Sequence, residues 1–205
     1  MKRSTRQLIG ILAASVIGAV GLAFLVSAWP RHMPSPFVEG QPLLGQATDW
    51  FTDSQVGLQF KPPSGWSMQA RTNATPLQHI SPRMIVKFKR LIPNASVAWM
   101  RVNVLDAPEG ATPAIYLRDR KAPEAGWKVL KDMEEGFQIG NQPAARITFG
   151  GPFDPDGRGK REFSAEVVVI RHQSQFIELI GTFPSTEADT RAQIRAVIDS
   201  VKLTR

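Results

Sequence analysis

Two groups of side chains in this sequence are spaced as chemistry would need them. In "GPFDPDGRGKRE", Asp154, Asp156 and Glu162 fall within nine residues, the acidic density of an oxygen-ligated calcium loop. An EF-hand-type loop would need a third oxygen where Arg158 stands, and Lys160 and Arg161 would repel a cation. The segment therefore reads as a long polar hairpin loop turned by its Asp-Gly. Loops on a rigid scaffold often carry contacts, which makes Asp154, Asp156 and Arg158 candidate partner-binding residues. The second group is Lys87, Lys89, Trp99 and Arg101, which alternate along two neighbouring segments. They would form a basic face around an aromatic ring, suited to lipid headgroups or an acidic partner. Lys and Arg on the solvated side of a strand are also what an ordinary sheet carries.

Catalysis finds no starting residue. His32, His79 and His172 lie in a linker, in a Pro-flanked loop and at a strand end. None has a second His or a carboxylate at metal-binding spacing, so surface or capping roles are expected of them. There is no G-x-S-x-G, Walker loop, H-E-x-x-H or S-x-x-K. The chain has no Cys, which removes disulfides, thiolate chemistry and iron-sulfur ligation. No cofactor, no metal and no enzymatic activity are expected.

Short strand signals separated by turn residues must position these groups. "VGLQF" alternates, Pro62-Pro63-Ser64-Gly65 turns the chain, and "WSMQA" resumes. The best hairpin joins Met84–Ile92 to Val97–Leu105. Pairing Ile92 directly with Val97 would set Phe88 against Arg101, so a one-residue shift is predicted, through a three- or five-residue loop or a bulge. In that register Lys87, Lys89, Trp99, Arg101 and Asn103 share one face. A helix is expected from Pro113 through "AIYLRDRKA" until Pro123 and Gly126 stop it. Strands follow at "WKVLK", "GFQIG", "AARITFG", "REFSAEVVVIR" and "FIELIGTF". In the long "EFSAEVVVIR", Val167 to Ile170 are apolar on both faces, so that strand should be central. A final helix is expected from Thr186, with Asp189 completing a capping box. Its stripe of Ile194, Val197, Ile198 and Val201 should be buried, with Arg191, Arg195 and Asp199 facing water.

Residues 8–29 are 22 consecutive uncharged positions, or about 33 Å if helical, enough for a hydrocarbon core of roughly 30 Å. Lys2, Arg3 and Arg6 precede them, which places the N-terminus in the cytoplasm. The expected organisation is a cytoplasmic basic segment at 1–7, a transmembrane signal anchor at 8–29, a Pro-rich linker at 30–48 and an extracytoplasmic domain at 49–205. The length of the apolar run favours retention over cleavage after Ala28. Gly10, Ala14 and Gly18 recur at four-residue spacing and are candidates for helix packing in the membrane. Beyond the three leading cations, 22 basic residues face 18 acidic ones, with no run of like charge, so no nucleic-acid partner is expected.

Phe51, Asp53, Gly57, Phe60, Pro63, Gly65 and Trp66 resemble the opening signature of the PsbP-like family. Gly126-Trp127, Gly140, Pro143-Ala144, "FIELIGTF" and Ile198-Asp199-Ser200-Val201 follow in the same order, so the resemblance covers about residues 49–203. It implies an α+β fold, an antiparallel sheet flanked by helices in an α/β/α sandwich. The family includes extrinsic photosystem subunits, a nuclear-transport factor and bacterial envelope proteins, and its members mostly bind or assist without catalysis. No catalytic residue transfers, because the matching positions are turn glycines, prolines and core aromatics. The combined expectation is a membrane-anchored, non-catalytic accessory or assembly subunit of a larger membrane complex, on the periplasmic side. The alternative is a module binding a small molecule or lipid, and the third reading an enzyme without recognisable motif.

Overall fold

A computed structural model describes residues 37–39, 50–71, 83–92, 97–155, 157 and 159–204. Its framework grows from the longest alternating pair in the chain. In Met84–Leu91 (β5) and Val97–Asp106 (β6), Val86, Phe88, Ala98, Met100, Val102 and Val104 are all buried. Leu91 pairs with Val97 and Phe88 with Met100, so residues 92–96 connect the strands. The one-residue shift expected from matching apolar faces is the register adopted.

Around this hairpin stand Phe37–Glu39 (β1), Phe51–Asp53 (β2), Leu58–Phe60 (β3) and Ser67–Arg71 (β4). Lys128–Ile139 (β7), Gln142–Phe153 (β8), Arg161–His172 (β9), Gln175–Pro184 (β10) and Lys202–Leu203 (β11) complete the strands. The helices are Pro113–Arg118 (α1) and Ala188–Asp199 (α2). One antiparallel sheet has the order β1-β4-β5-β6-β10-β9-β8-β7, and a second has the order β11-β3-β2. As the doubly apolar run required, β9 lies inside the large sheet, and Val167, Val168, Val169 and Ile170 have no exposed surface.

The α/β/α expectation is corrected. Among the described residues the protein is mostly β, and its two helices have six and twelve residues. The first ends at Arg118 rather than reaching Pro123; Asp119 is its C-cap, and Arg120 beyond it meets a carboxylate on the sheet at 2.7 Å. "WKVLK" and "GFQIG" are one strand, not two. β7 is an edge strand with three register shifts, and its exposed middle carries no apolar alternation to be read. The membrane helix that completed the expected architecture is not found. No helix among the described residues is long and apolar enough to cross a membrane, and 8–29, with Gly10, Ala14 and Gly18, lies outside them. So does most of 30–48, within which β1 pairs with β4.

Two apolar layers sandwich the large sheet. On one side Phe88, Met100, Val102, Val168 and Leu179 meet Ile194, Val197 and Ile198 of α2, with Leu58, Phe60 and Trp66 beneath. Gly181 permits that approach, since a Cβ there would lie 2.4 Å from Ile194 Cγ2. The expected capping box is absent. Residues 185–187 form the turn out of β10, with Glu187 N–H bonded to the Pro184 carbonyl at 2.9 Å, and α2 starts without a side-chain cap. On the other side Ala114 and Leu117 of α1 join Trp127, Phe149, Phe163, Val167, Val169 and Ile180.

Candidate functional site

The second face of the sheet carries the basic group. Strand alternation sends Met100 and Val102 to the α2 side, so Trp99, Arg101 and Asn103 emerge opposite. Register places Lys87 beside Arg101 and Lys89 beside Trp99. β4 adds Gln69 next to Lys87 and Ser67 next to Lys89. On this face α1 packs over β7, β8 and β9, and among the described residues the β5–β6 side has no helical cover.

The β8–β9 hairpin closes one flank. Phe153 meets Trp99 edge-on at 5.7 Å and Trp127 at 5.9 Å. The result is a groove of about 270 Å³ lined by Lys87, Lys89, Val97, Trp99, Phe153 and Pro155. The structure thus brings together the basic group and the root of the acidic loop. Asp154 serves the loop itself, its Oδ2 accepting the Gly159 N–H at 3.1 Å, while Asp156 and Arg158 lie outside the described residues.

Among the described residues, no carboxylate pairs with Lys87, Lys89 or Arg101, and Arg101 Nε is buried without an acceptor. Burial first, then the charges of Arg101 and Lys89, hold the Lys87 amine below its ordinary pKa.

Two further polar centres were not singled out from sequence. Glu178 is 2 % exposed and accepts from Arg120 Nε at 2.7 Å, Asn103 Nδ2 at 2.9 Å and Tyr116 hydroxyl at 3.2 Å. Burial and then the Glu178 charge push the Tyr116 phenol up to about 12. Beside this network a cleft of about 490 Å³ opens between Pro108, Ala111, Ile115, Tyr116, Arg120 and Phe176. The available signal was a lone Glu in "FIELIGTF", since a carboxylate inside an apolar strand needs partners. On the α2 side, Glu166 is 1 % exposed and lies 3.1 Å from Arg195, 3.8 Å from Arg146 and 3.9 Å from Arg191. Arg191 and Arg195, expected to face water, thus lean onto the sheet.

The expectation of a surface or capping role for His172 is also corrected. It is 5 % exposed, and neither ring nitrogen has a hydrogen-bond partner. Its position at the end of β9 places it beneath Gly57, where a Cβ would lie 3.4 Å from His172 Nε2. Among the described residues no three His, Asp or Glu side chains are placed to hold a metal ion, and no nucleophile and base meet in either groove.

No protein-family model and no curated protein sequence matches this chain. Solved structures do. The cyanobacterial PsbP (CyanoP) of Synechocystis sp. PCC 6803 superposes with a TM-score of 0.51 at 16% identity, covering 78% of this chain and 95% of that one. LpqN of Mycobacterium tuberculosis, described as involved in cell envelope biogenesis, matches with a TM-score of 0.44 at 16% identity over 72% of this chain and 83% of its own. The Saccharomyces cerevisiae Ran-binding protein Mog1p gives 0.42 at 8% identity, over 76% of this chain and 94% of its own. The fold is PsbP-like, and at these identities the likeness speaks for the fold alone.

Proposed function

We propose that this protein is an exported, non-catalytic accessory domain that docks a partner protein on the β5–β6 face. It is held at the far side of a membrane by its apolar amino-terminal segment. The observation that carries the reading is the set of Lys87, Lys89 and Arg101 around Trp99, with no carboxylate among the described residues to balance them. Unpaired cations beside an aromatic wall are poor for stability and good for electrostatic capture of an acidic surface. The PsbP-like fold supports an accessory role by analogy, and the positive residues before 8–29 support export. The test is purification of the full chain from native membranes in mild detergent, with mass spectrometry of what co-elutes. A partner whose recovery drops with Lys87→Glu and Lys89→Glu is expected. A protein that emerges alone and monomeric, or free in the cytosol, overturns the proposal.

A second reading is favoured by the cleft beside Tyr116, whose volume of about 490 Å³ falls within the range of small-molecule sites. A ligand there would raise the melting temperature by mass action. Thermal scans against an amphiphile panel such as octanoate, octanol and octylamine decide it, and no shift with any of them removes it.

A further inference from the structure

Resting on the reading of the β5–β6 face as a docking surface, we infer the chemistry of what docks. The groove receives an extended segment of the partner in which a carboxylate side chain stands beside a bulky apolar one. The carboxylate sits between Lys87 and Lys89, and the apolar group lies against Trp99 and Phe153.

Lys87 and Arg101 are direct cross-strand partners, and like charges placed opposite one another weaken a sheet. One arriving carboxylate offsets that repulsion, since the Lys87 and Lys89 amines that line the groove donate to it in charge-assisted bonds. Burial first, and then the neighbouring charges of Arg101 and Lys89, disfavour the charged Lys87 amine, and a carboxylate beside it would favour that form. The remaining lining, Val97, Trp99, Phe153 and Pro155, is apolar, and about 270 Å³ suits a single large side chain. A bare phosphate would leave that wall unused. A nucleic-acid strand needs successive rings along a basic track, whereas Trp99 and Phe153 are set edge-on to each other at 61°.

The full-length protein in mild detergent is titrated with acetyl-Ser-Glu-Phe-Glu-Ser-amide. Parallel titrations use the same peptide with Gln for Glu, the same peptide with Ala for Phe, inorganic phosphate, and phosphatidylglycerol in mixed micelles. The acidic aromatic peptide is expected to bind and to raise the Lys87 pKa in an NMR titration. Either peptide change, or Lys87→Gln, should weaken binding about tenfold, a loss of about 1.4 kcal/mol, and Lys87→Arg should restore it. Lys87 is half-buried at the rim, and circular dichroism verifies that the variants fold. Equal affinity for the Gln peptide, or tighter binding of phosphate or of phosphatidylglycerol than of the peptide, overturns the inference. If a partner co-purifies but no peptide binds, the inference falls and the accessory role stands. If the peptide binds but no partner is recovered, the accessory role falls and the groove chemistry stands.

Discussion

At Glu178 three donors from two elements and a loop converge on one buried carboxylate. Removing one member of a buried charge pair strands the other, so Glu178→Ala should cost about 3 kcal/mol, measured by denaturant unfolding. Tyr116 is the only tyrosine in the chain, so ultraviolet tyrosinate absorbance reads it alone. Its midpoint should lie near about 12 and fall in Glu178→Gln, which removes the second-largest cause of the shift. The folded state holds this proton more tightly than the unfolded chain, whose phenol titrates near about 10. Stability from this group is therefore complete below about pH 10 and lost as pH rises through the folded value near about 12. Half-exposure trims that loss to about 1 kcal/mol. His172 makes the opposite case. Its ring is buried without hydrogen bonds, so His172→Leu should hold or raise the melting temperature, where loss of a bonded histidine would lower it. None of these environments was legible residue by residue, because each is built by side chains far apart in sequence.

Among the elements, α2 is seated by a missing side chain as much as by its apolar stripe. Gly181→Val would force a methyl into Ile194, and overpacking of this kind costs about 1–3 kcal/mol. A double-mutant cycle with Ile194→Ala should recover part of that loss, because the two positions touch. If the losses add without coupling, the contact does not seat the helix. The stripe of Ile194, Val197, Ile198 and Val201 was readable because helical spacing and burial coincide there. The start of α2 was not, because β10 runs on to Pro184 and its exit turn uses Ser185 through Glu187. α1 is also shorter than expected, ending at Arg118, and Arg120 beyond it bonds to Glu178 on the sheet. β7 was misread as two strands because an exposed, bulged edge has no periodic apolar face to reveal it.

For the whole molecule, the predictions concern charge and place. If the β5–β6 groove docks an acidic partner, recovery of that partner should fall steadily with added salt, because the Debye length shrinks from about 10 Å at 0.1 M to about 3 Å at 1 M. Association that is insensitive to salt would move the contact to an apolar surface. If the segment at 8–29 anchors the chain as proposed, fractionation should find the full chain with membranes and its folded part open to protease from the outside only.

Alternation, turn residues and side-chain matching were sufficient to determine the strands around 84–105, the shift in their register, the central place of Val167 to Ile170 and the common face of Lys87, Lys89, Trp99 and Arg101. These are local or nearest-neighbour consequences of chain geometry, so they can be read without a fold. Only the tertiary structure decided that Phe153 and Pro155 wall that face, that Glu178 gathers Arg120, Tyr116 and Asn103, that Glu166 binds Arg195, and that the architecture is mostly β with two short helices. Those outcomes depend on which distant segments become neighbours, and burial of one group changes the path of another. A sequence pattern does not record that coupling.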